Sequence, residues 1–364
     1  MDFQPIAAQF GITDPVVAWE EIHSGNINRT YLVTIRIDGT DHQFVFQRIN
    51  TYVFKKPDEV MENILKVTEH IKKKLLEETG CYDRRVLSFR RAKDGKPYFY
   101  TSNRHFWRVY EYIDRAVAFN MVQEPEQFYE AGYSFGEFQA WLSDFPAATL
   151  HDIIPHFHDT PVRYSDFRFA VERDAAKRRA EVEEEIAFLL EREKEAGALM
   201  DGLQSGRLPW RVTHNDTKIN NILFDEETNK AICVIDLDTV MPGTSLFDFG
   251  DAVRYGASTA AEDERDLSKV TLSTELYEQF TRGFLKGVGS LMHESEADML
   301  LVSVKIMTLE LAVRFLTDYL NGDLYFKTRS ADHNLVRART QIRLVQDIEA
   351  KWDELCAITA RCRD

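Results

Sequence analysis

Apolar and polar positions alternate in short runs over the first hundred residues and then change period. Segments 31 to 37 (YLVTIRI) and 42 to 49 (HQFVFQRI) flank Asp38-Gly39, a pair that takes positive φ readily and so marks a hairpin. Between 57 and 76 the spacing becomes helical: Val60, Ile64, Val67, Ile71 and Leu75 recur behind Pro57, which suits a first helical turn. Runs 86 to 92 and 97 to 101 flank Asp94-Gly95, and the aromatic run 105 to 113 (HFWRVYEYI) completes five predicted strands. From about residue 125, segments 126 to 145, 167 to 200, 272 to 286, 294 to 321 and 333 to 360 predict helices. The exception is 211 to 240, where Ile222 to Phe224 and Ile232 to Ile235 predict a hairpin around a polar cluster. The charged stretch 181 to 195 keeps an apolar stripe of Val182, Ile186, Leu189 and Leu190, as a solvated helix does. The expected class is α+β and bilobal: a small antiparallel lobe over 1–113 and a mainly helical lobe over 114–364.

A chain of 364 residues with 44% hydrophobic content can bury a sizeable core. Its 45 basic and 60 acidic residues give a net charge of -15, which argues against nucleic acid or an anionic membrane as partner. Cys81, Cys233, Cys356 and Cys362 form no C-x-x-C pair and are expected to be free thiols. No apolar run approaches a membrane span, and no basic-then-apolar leader opens the chain, so the cytoplasm is the expected location. A monomer and a homodimer both remain open.

The chemistry concentrates in residues 213 to 221, THNDTKINN. Asp216 there could orient a hydroxyl and accept its proton, while Asn221, five residues on, could offer an amide oxygen to a metal that bridges phosphates. Fifteen residues further, the run AICVI ends in Asp236-Leu237-Asp238, which places a second metal ligand, Asp236, at a strand end. The order base, amide, carboxylate is that of phosphoryl transfer from ATP with Mg2+. Because ATP is an anion and the chain is acidic, the site needs the metal and a cation, for which Lys218 is the candidate. A literal Asp248-Phe249-Gly250 lies 27 residues after Asn221, too far for the hairpin ligand; Asp248 and Asp251 are expected to brace loops, and His214 to shape its own.

On the strand side, HSGNINRTYLV carries only Gly25, so Asn26, Asn28 and Thr30 are the candidate donors to phosphate. By alternation Val45 and Gln47 share a face; Val45 should lie over adenine, and Gln47 stands where kinases usually carry lysine. Backbone groups of Glu111, Tyr112 and Ile113 should meet the adenine edge. His156 and His158, on alternate positions with no third ligand nearby, are expected to pack or touch substrate instead of binding metal.

THNDTKINNILFD, VIDLDTVMPG and LFDFGD together resemble the aminoglycoside phosphotransferase and choline kinase superfamily, with the protein kinase core as a more distant relative. The resemblance implies a protein-kinase-like fold. Further stretches, among them GNINRTYLV, FGEFQAWLSDF, HFHDTPVRYSDF, RYGASTAAEDERDLSKV and RFLTDYLNGDLYF, resemble a bacterial branch of sugar kinases acting at the anomeric hydroxyl of N-acetylhexosamines. Glutamine at position 47 fits that branch. The resemblance implies a sugar acceptor held by Asp216, Asp238, Arg314 and Tyr325, although Arg314 could instead pair with Asp318 on its helix face. Rival readings are a kinase of choline, an aminoglycoside or another sugar, and a nucleotide-binding pseudokinase.

Overall fold

The computed structural model describes residues 1–23 and 27–363. Asp38 and Gly39 both hold positive φ, 48° and 82°, and close the predicted hairpin. A short helix α1 (Gln4–Gln9) precedes strands β1 (Val16–Ile22), β2 (Arg29–Ile37) and β3 (Thr40–Ile49); helix α2 (Pro57–Thr79) and strands β4 (Phe99–Tyr100) and β5 (Phe106–Glu111) follow. The five strands form one sheet in the order β1-β2-β3-β5-β4, antiparallel throughout. One of the five is not the one expected. Residues 86 to 92 make only an isolated bridge, Phe89 to Tyr110, and β1 takes the fifth place. As an edge strand, β1 is largely exposed and shows no alternation, which is why its sequence, VVAWEEI, gives no signal.

Alternation on the central strands sorts two faces. Phe44 and Phe46 of β3 and Trp107 and Val109 of β5 pack with Phe3, Tyr31 and Val33 in a small core. On the opposite face Gln47 sits directly across from Arg108, and Val45 across from Tyr110. Helix α2 buries Val60, Ile64, Val67, Ile71 and Leu75 and stops at Gly80, whose φ is 73°.

The second lobe opens with β6 (Ala116–Val117) and α3 (Pro125–Trp141). Where one helix over 167 to 200 was expected, four pieces form: α4 (Thr160–Arg173), α5 (Glu183–Glu191), α6 (Glu193–Ala196) and α7 (Ala198–Gln204). Asp174 ends α4 in the left-handed region, with φ 42°. Strands β7 (Arg211–Thr213), β8 (Ile222–Asp225), β9 (Ala231–Val234) and β10 (Met241–Gly243) carry the polar cluster. Helices α8 (Ser245–Gly256), α9 (Thr274–Val288), α10 (Glu294–Ala297), α11 (Leu300–Asn321), α12 (His333–Ala350) and α13 (Trp352–Arg363) complete the chain. Among the described residues no helix is long and apolar enough to cross a membrane.

Helices α3 and α9 meet backbone to backbone. A Cβ added at Gly283 of α9 would lie 2.0 Å from the Tyr129 carbonyl oxygen, and one at Gly287 2.2 Å from that of Tyr133. Gly132 and Gly136 answer from α3, each 2.4 Å from a carbonyl of α9 by the same construction.

Candidate active site

The loop between β7 and β8 is fastened from its core side. The Asp248 carboxylate, in the first turn of α8, accepts the His214 N–H at 3.0 Å, the Asn215 N–H at 2.8 Å and the Gln139 amide at 2.8 Å. One turn later Asp251 accepts the Thr217 N–H at 3.2 Å and pairs with Arg254 at 2.8 Å. The His214 ring bridges the two halves of the site: Nδ1 accepts the Asp216 N–H at 3.2 Å, and Nε2 donates to the Ile235 carbonyl at 2.9 Å. Bracing by Asp248 and Asp251, and shaping by His214, are thus what the loop receives. Replacing Asp248 by alanine should strand three buried donors and cost about 3 kcal/mol, read by urea unfolding.

Asn215 holds a φ of 66°, unusual for a residue other than glycine, and its backbone N–H, its carbonyl and its side-chain amide nitrogen are all hydrogen-bonded. Its amide nitrogen donates to the Thr239 carbonyl at 2.9 Å, and its own carbonyl accepts from His158 Nε2 at 3.2 Å. His158 in turn meets the fully buried Glu310 at 2.9 Å, to which Thr160 also donates at 3.0 Å. These contacts set the direction in which Asp216 leaves the loop.

Asp216 Oδ1 lies 2.8 Å from Lys218 Nζ, and the Asn221 amide nitrogen donates to the Asp216 carbonyl at 2.7 Å and to Oδ2 at 3.2 Å. Asp216 beside it raises the Lys218 ammonium well above its ordinary range, so the cation persists despite burial. The β8–β9 hairpin brings Asn221 and Asp236 together: Ile222 pairs with Val234, and Ile235 N–H donates to the Asn221 carbonyl at 2.9 Å. The protein crowding it within the cleft, then the nearby Asp238 and Asp216 charges, push the Asp236 carboxyl up to about 7, although its side chain stays open to the cleft. A carboxyl so placed is completed by a cation.

Between the lobes lies a cleft of about 460 Å³. Asp216, Lys218, Asn221, Asp236 and Asp238 line it from the helical side. From the sheet come Asn28, Thr30, Val45 and Gln47, with Glu111, Tyr112 and Ile113 at the joint. Gly25 and Asn26 lie outside the described residues. Arg314 and Tyr325 are not brought to this cleft. Arg314 on α11 sits 3.6 Å from Glu310 and over the Phe157 ring at 5.2 Å, with the exposed Tyr325 at 6.0 Å. Nor does Arg314 meet Asp318, whose carboxylate instead accepts the N–H groups of Leu324, Tyr325 and Phe326.

Two residues of the cleft meet partners that the sequence did not indicate. Asp238, which lines the cleft, forms a buried ion pair with Arg108 and accepts the Asn28 amide at 2.6 Å. Gln47 accepts from Arg108 Nε at 2.8 Å and Nη2 at 2.7 Å, and donates to Thr30 at 2.9 Å. Burial alone would lower the Arg108 pKa; Asp238 more than offsets it, so the guanidinium stays charged. Arg108 escaped sequence reading because nothing within a few residues marks it. Its one signal is register, since it stands across β3 from the neutral Gln47. Gln139 was missed for the same reason, its partner Asp248 being distant in sequence, whereas His158, expected to pack or touch substrate, is packed beneath the loop.

The oxygen donors present fit magnesium. With its amide nitrogen spent on Asp216, Asn221 keeps its oxygen as an acceptor, and Asp236 adds a carboxylate. Among the described residues no three His, Cys, Asp or Glu side chains form a metal cluster. Mg2+ is commonly held by one or two protein ligands with substrate phosphates supplying the rest.

Residues 18–284 match the Phosphotransferase enzyme family, APH. The chain belongs to this family. Solved structures share the fold of this phosphotransferase at low identity. A microcompartment-associated aminopropanol kinase superposes with a TM-score of 0.65 at 19% identity, covering 95% of this chain and 98% of that one. An aminoglycoside phosphotransferase from Alicyclobacillus acidocaldarius gives 0.60 at 13%, covering 100% and 96%. A choline kinase from Cryptosporidium parvum gives 0.52 at 14%, covering 95% and 93%. The protein-kinase-like fold, with its five-stranded sheet beside a helical lobe, is therefore that of this phosphotransferase.

Proposed function

We propose that this phosphotransferase moves the γ-phosphoryl group of ATP to the anomeric hydroxyl of an N-acetylhexosamine, giving the sugar 1-phosphate and ADP. The observation that carries the reading is the meeting of Asp216, Asn221 and Asp236 in one interlobe cleft beneath the sheet. Adenine would lie against Val45, where the Ile113 N–H has no hydrogen-bond partner among the described residues. Asp216 orients the acceptor hydroxyl and takes its proton as the oxygen–phosphorus bond forms and the bond to the departing ADP oxygen breaks. Lys218, 2.8 Å from that carboxylate, stabilises charge on the phosphoryl group in flight. Asn221 and Asp236 would hold Mg2+, which when bound supplies charge neutralisation on the phosphates.

The choice of a sugar draws support from the sequence stretches shared with that branch and from the charge of the wall beyond the Asp216 loop. There Arg314 stands near Arg163, whose pKa is lowered by burial first and by Arg314 second. Glu310, the carboxylate between them, is already engaged by His158 and Thr160. That cluster holds its carboxylate fully buried and engaged, so it offers no open acidic group to the cation of choline or an aminoglycoside.

The test is ADP release with Mg2+ over N-acetylglucosamine, N-acetylgalactosamine, glucose, choline and an aminoglycoside. Turnover is expected with the N-acetylhexosamines, and the product should show phosphorus coupling to the anomeric proton. Turnover confined to choline or the aminoglycoside would replace the acceptor, and ADP binding without turnover on any alcohol would favour a pseudokinase.

A further inference from the structure

Kinases of this general design place a lysine on the third strand, where it supplies positive charge to the nucleotide phosphates. The corresponding face of β3 here offers Gln47, which is neutral, and the α2 residue that meets this part of the cleft through Arg108 is Met61, which is neutral too. The cation arrives from the next strand. Arg108 is directly opposite Gln47, and its guanidinium spans the Gln47 amide oxygen, Met61 Sδ at 3.7 Å and the Asp238 carboxylate. It lines the same cleft as Thr30, Gln47 and Asp236.

We infer that Arg108 is the nucleotide-side cation of this enzyme, replacing the missing third-strand lysine from the neighbouring strand. The inference rests on the reading of the cleft as an ATP site. Its charge is arranged in two stages. Asp238 keeps the buried guanidinium ionised and fixed, and Asn28 closes the ring by donating to Asp238 at 2.6 Å while accepting the Asn50 N–H at 3.0 Å. Gln47, its oxygen turned to Arg108, is left with its nitrogen toward Thr30, so the sheet presents N–H donors on the side where phosphates enter. The arrangement also separates the two carboxylates of the Asp236-Leu237-Asp238 segment. Asp238 is neutralised within the protein, and Asp236 is left for the metal.

ADP binding by titration calorimetry, without acceptor, in EDTA and again in Mg2+, tests this apart from the sugar assignment. Arg108→Met should weaken ADP binding in both media by roughly 10- to 100-fold, the loss of one charge-assisted contact. Because that variant leaves Asp238 buried and unpaired, two companions separate charge supply from folding. Arg108→Met with Asp238→Asn should regain the thermal midpoint of the wild type and still bind ADP weakly. Arg108→Met with Gln47→Lys should recover ADP affinity, since a lysine at 47 restores a cation on the same face. Wild-type affinity in the Arg108→Met, Asp238→Asn protein, or no recovery with Gln47→Lys in a folded protein, would overturn the inference. Failure of the wild type itself to bind ADP would instead overturn the ATP-site reading.

Discussion

Asparagine at position 216 should lower kcat by about 10²- to 10⁴-fold, the range that a positioned base contributes. The substitution is nearly isosteric. Its one amide oxygen can still accept from Lys218, which lies 2.8 Å from Oδ1, while the amide nitrogen takes the place of Oδ2 and gives up the 3.2 Å contact from Asn221, whose amide keeps its 2.7 Å bond to the backbone carbonyl of residue 216. What it cannot do is take a proton. The backbone is held by Asp248, Asp251 and His158 irrespective of the side chain at 216, so the loop should keep its shape. The Michaelis constants for ATP and for the acceptor alcohol should therefore stay within about threefold, and kcat and kcat/KM should fall together, the signature of an interaction made in the transition state. Steady-state kinetics with both substrates varied reads this directly. Undiminished turnover would remove Asp216 as base.

A single methyl group at Gly283 should destabilise the protein by about 2 kcal/mol, a prediction that runs against helix propensity. In isolation Ala is favoured over Gly in a helix by ~1 kcal/mol. At this position the new Cβ would lie 2.0 Å from the Tyr129 carbonyl oxygen and 2.9 Å from the Tyr133 nitrogen. Neither is a flexible side chain that can turn aside. Overpacking of this kind costs about 1–3 kcal/mol, and a clash with rigid backbone belongs at the upper end, which leaves the net loss. Gly197→Ala is the control, since an added Cβ there meets nothing closer than 3.6 Å and should be neutral or slightly favourable. Urea unfolding of both variants checks the pair. Because α3 also carries Gln139, which bonds Asp248, a shifted α3–α9 contact should lower activity as well.

The features legible in the sequence are those whose cause is local. Asp38-Gly39 fixes its hairpin through backbone preference alone, and α2 announces itself by apolar spacing and Pro57. The cluster of Asp216, Asn221 and Asp236 is readable because only the β8–β9 hairpin lies between Asn221 and Asp236, leaving few ways to arrange them. What escaped depends on partners far along the chain. Arg314 has a carboxylate one helical turn away on either side, Glu310 and Asp318, and periodicity cannot choose between them. The choice is made by the loop after α11, whose three N–H groups claim Asp318. The pairing of Asp238 with Arg108 could not be read, because Arg108 lies 130 residues earlier and meets it only once the lobes are assembled. The first break in the 167 to 200 stretch comes where Asp174, and then Lys177, enter the left-handed region, a change that apolar spacing does not signal.

Gln139, His158, Asp248 and Asp251 grip the base loop, and none of them forms part of the cleft wall. Substitutions on the face that an incoming alcohol encounters can accumulate without loosening the loop that carries Asp216. Such a division of labour gives the scaffold room to change its clientele by drift while its chemistry stays put.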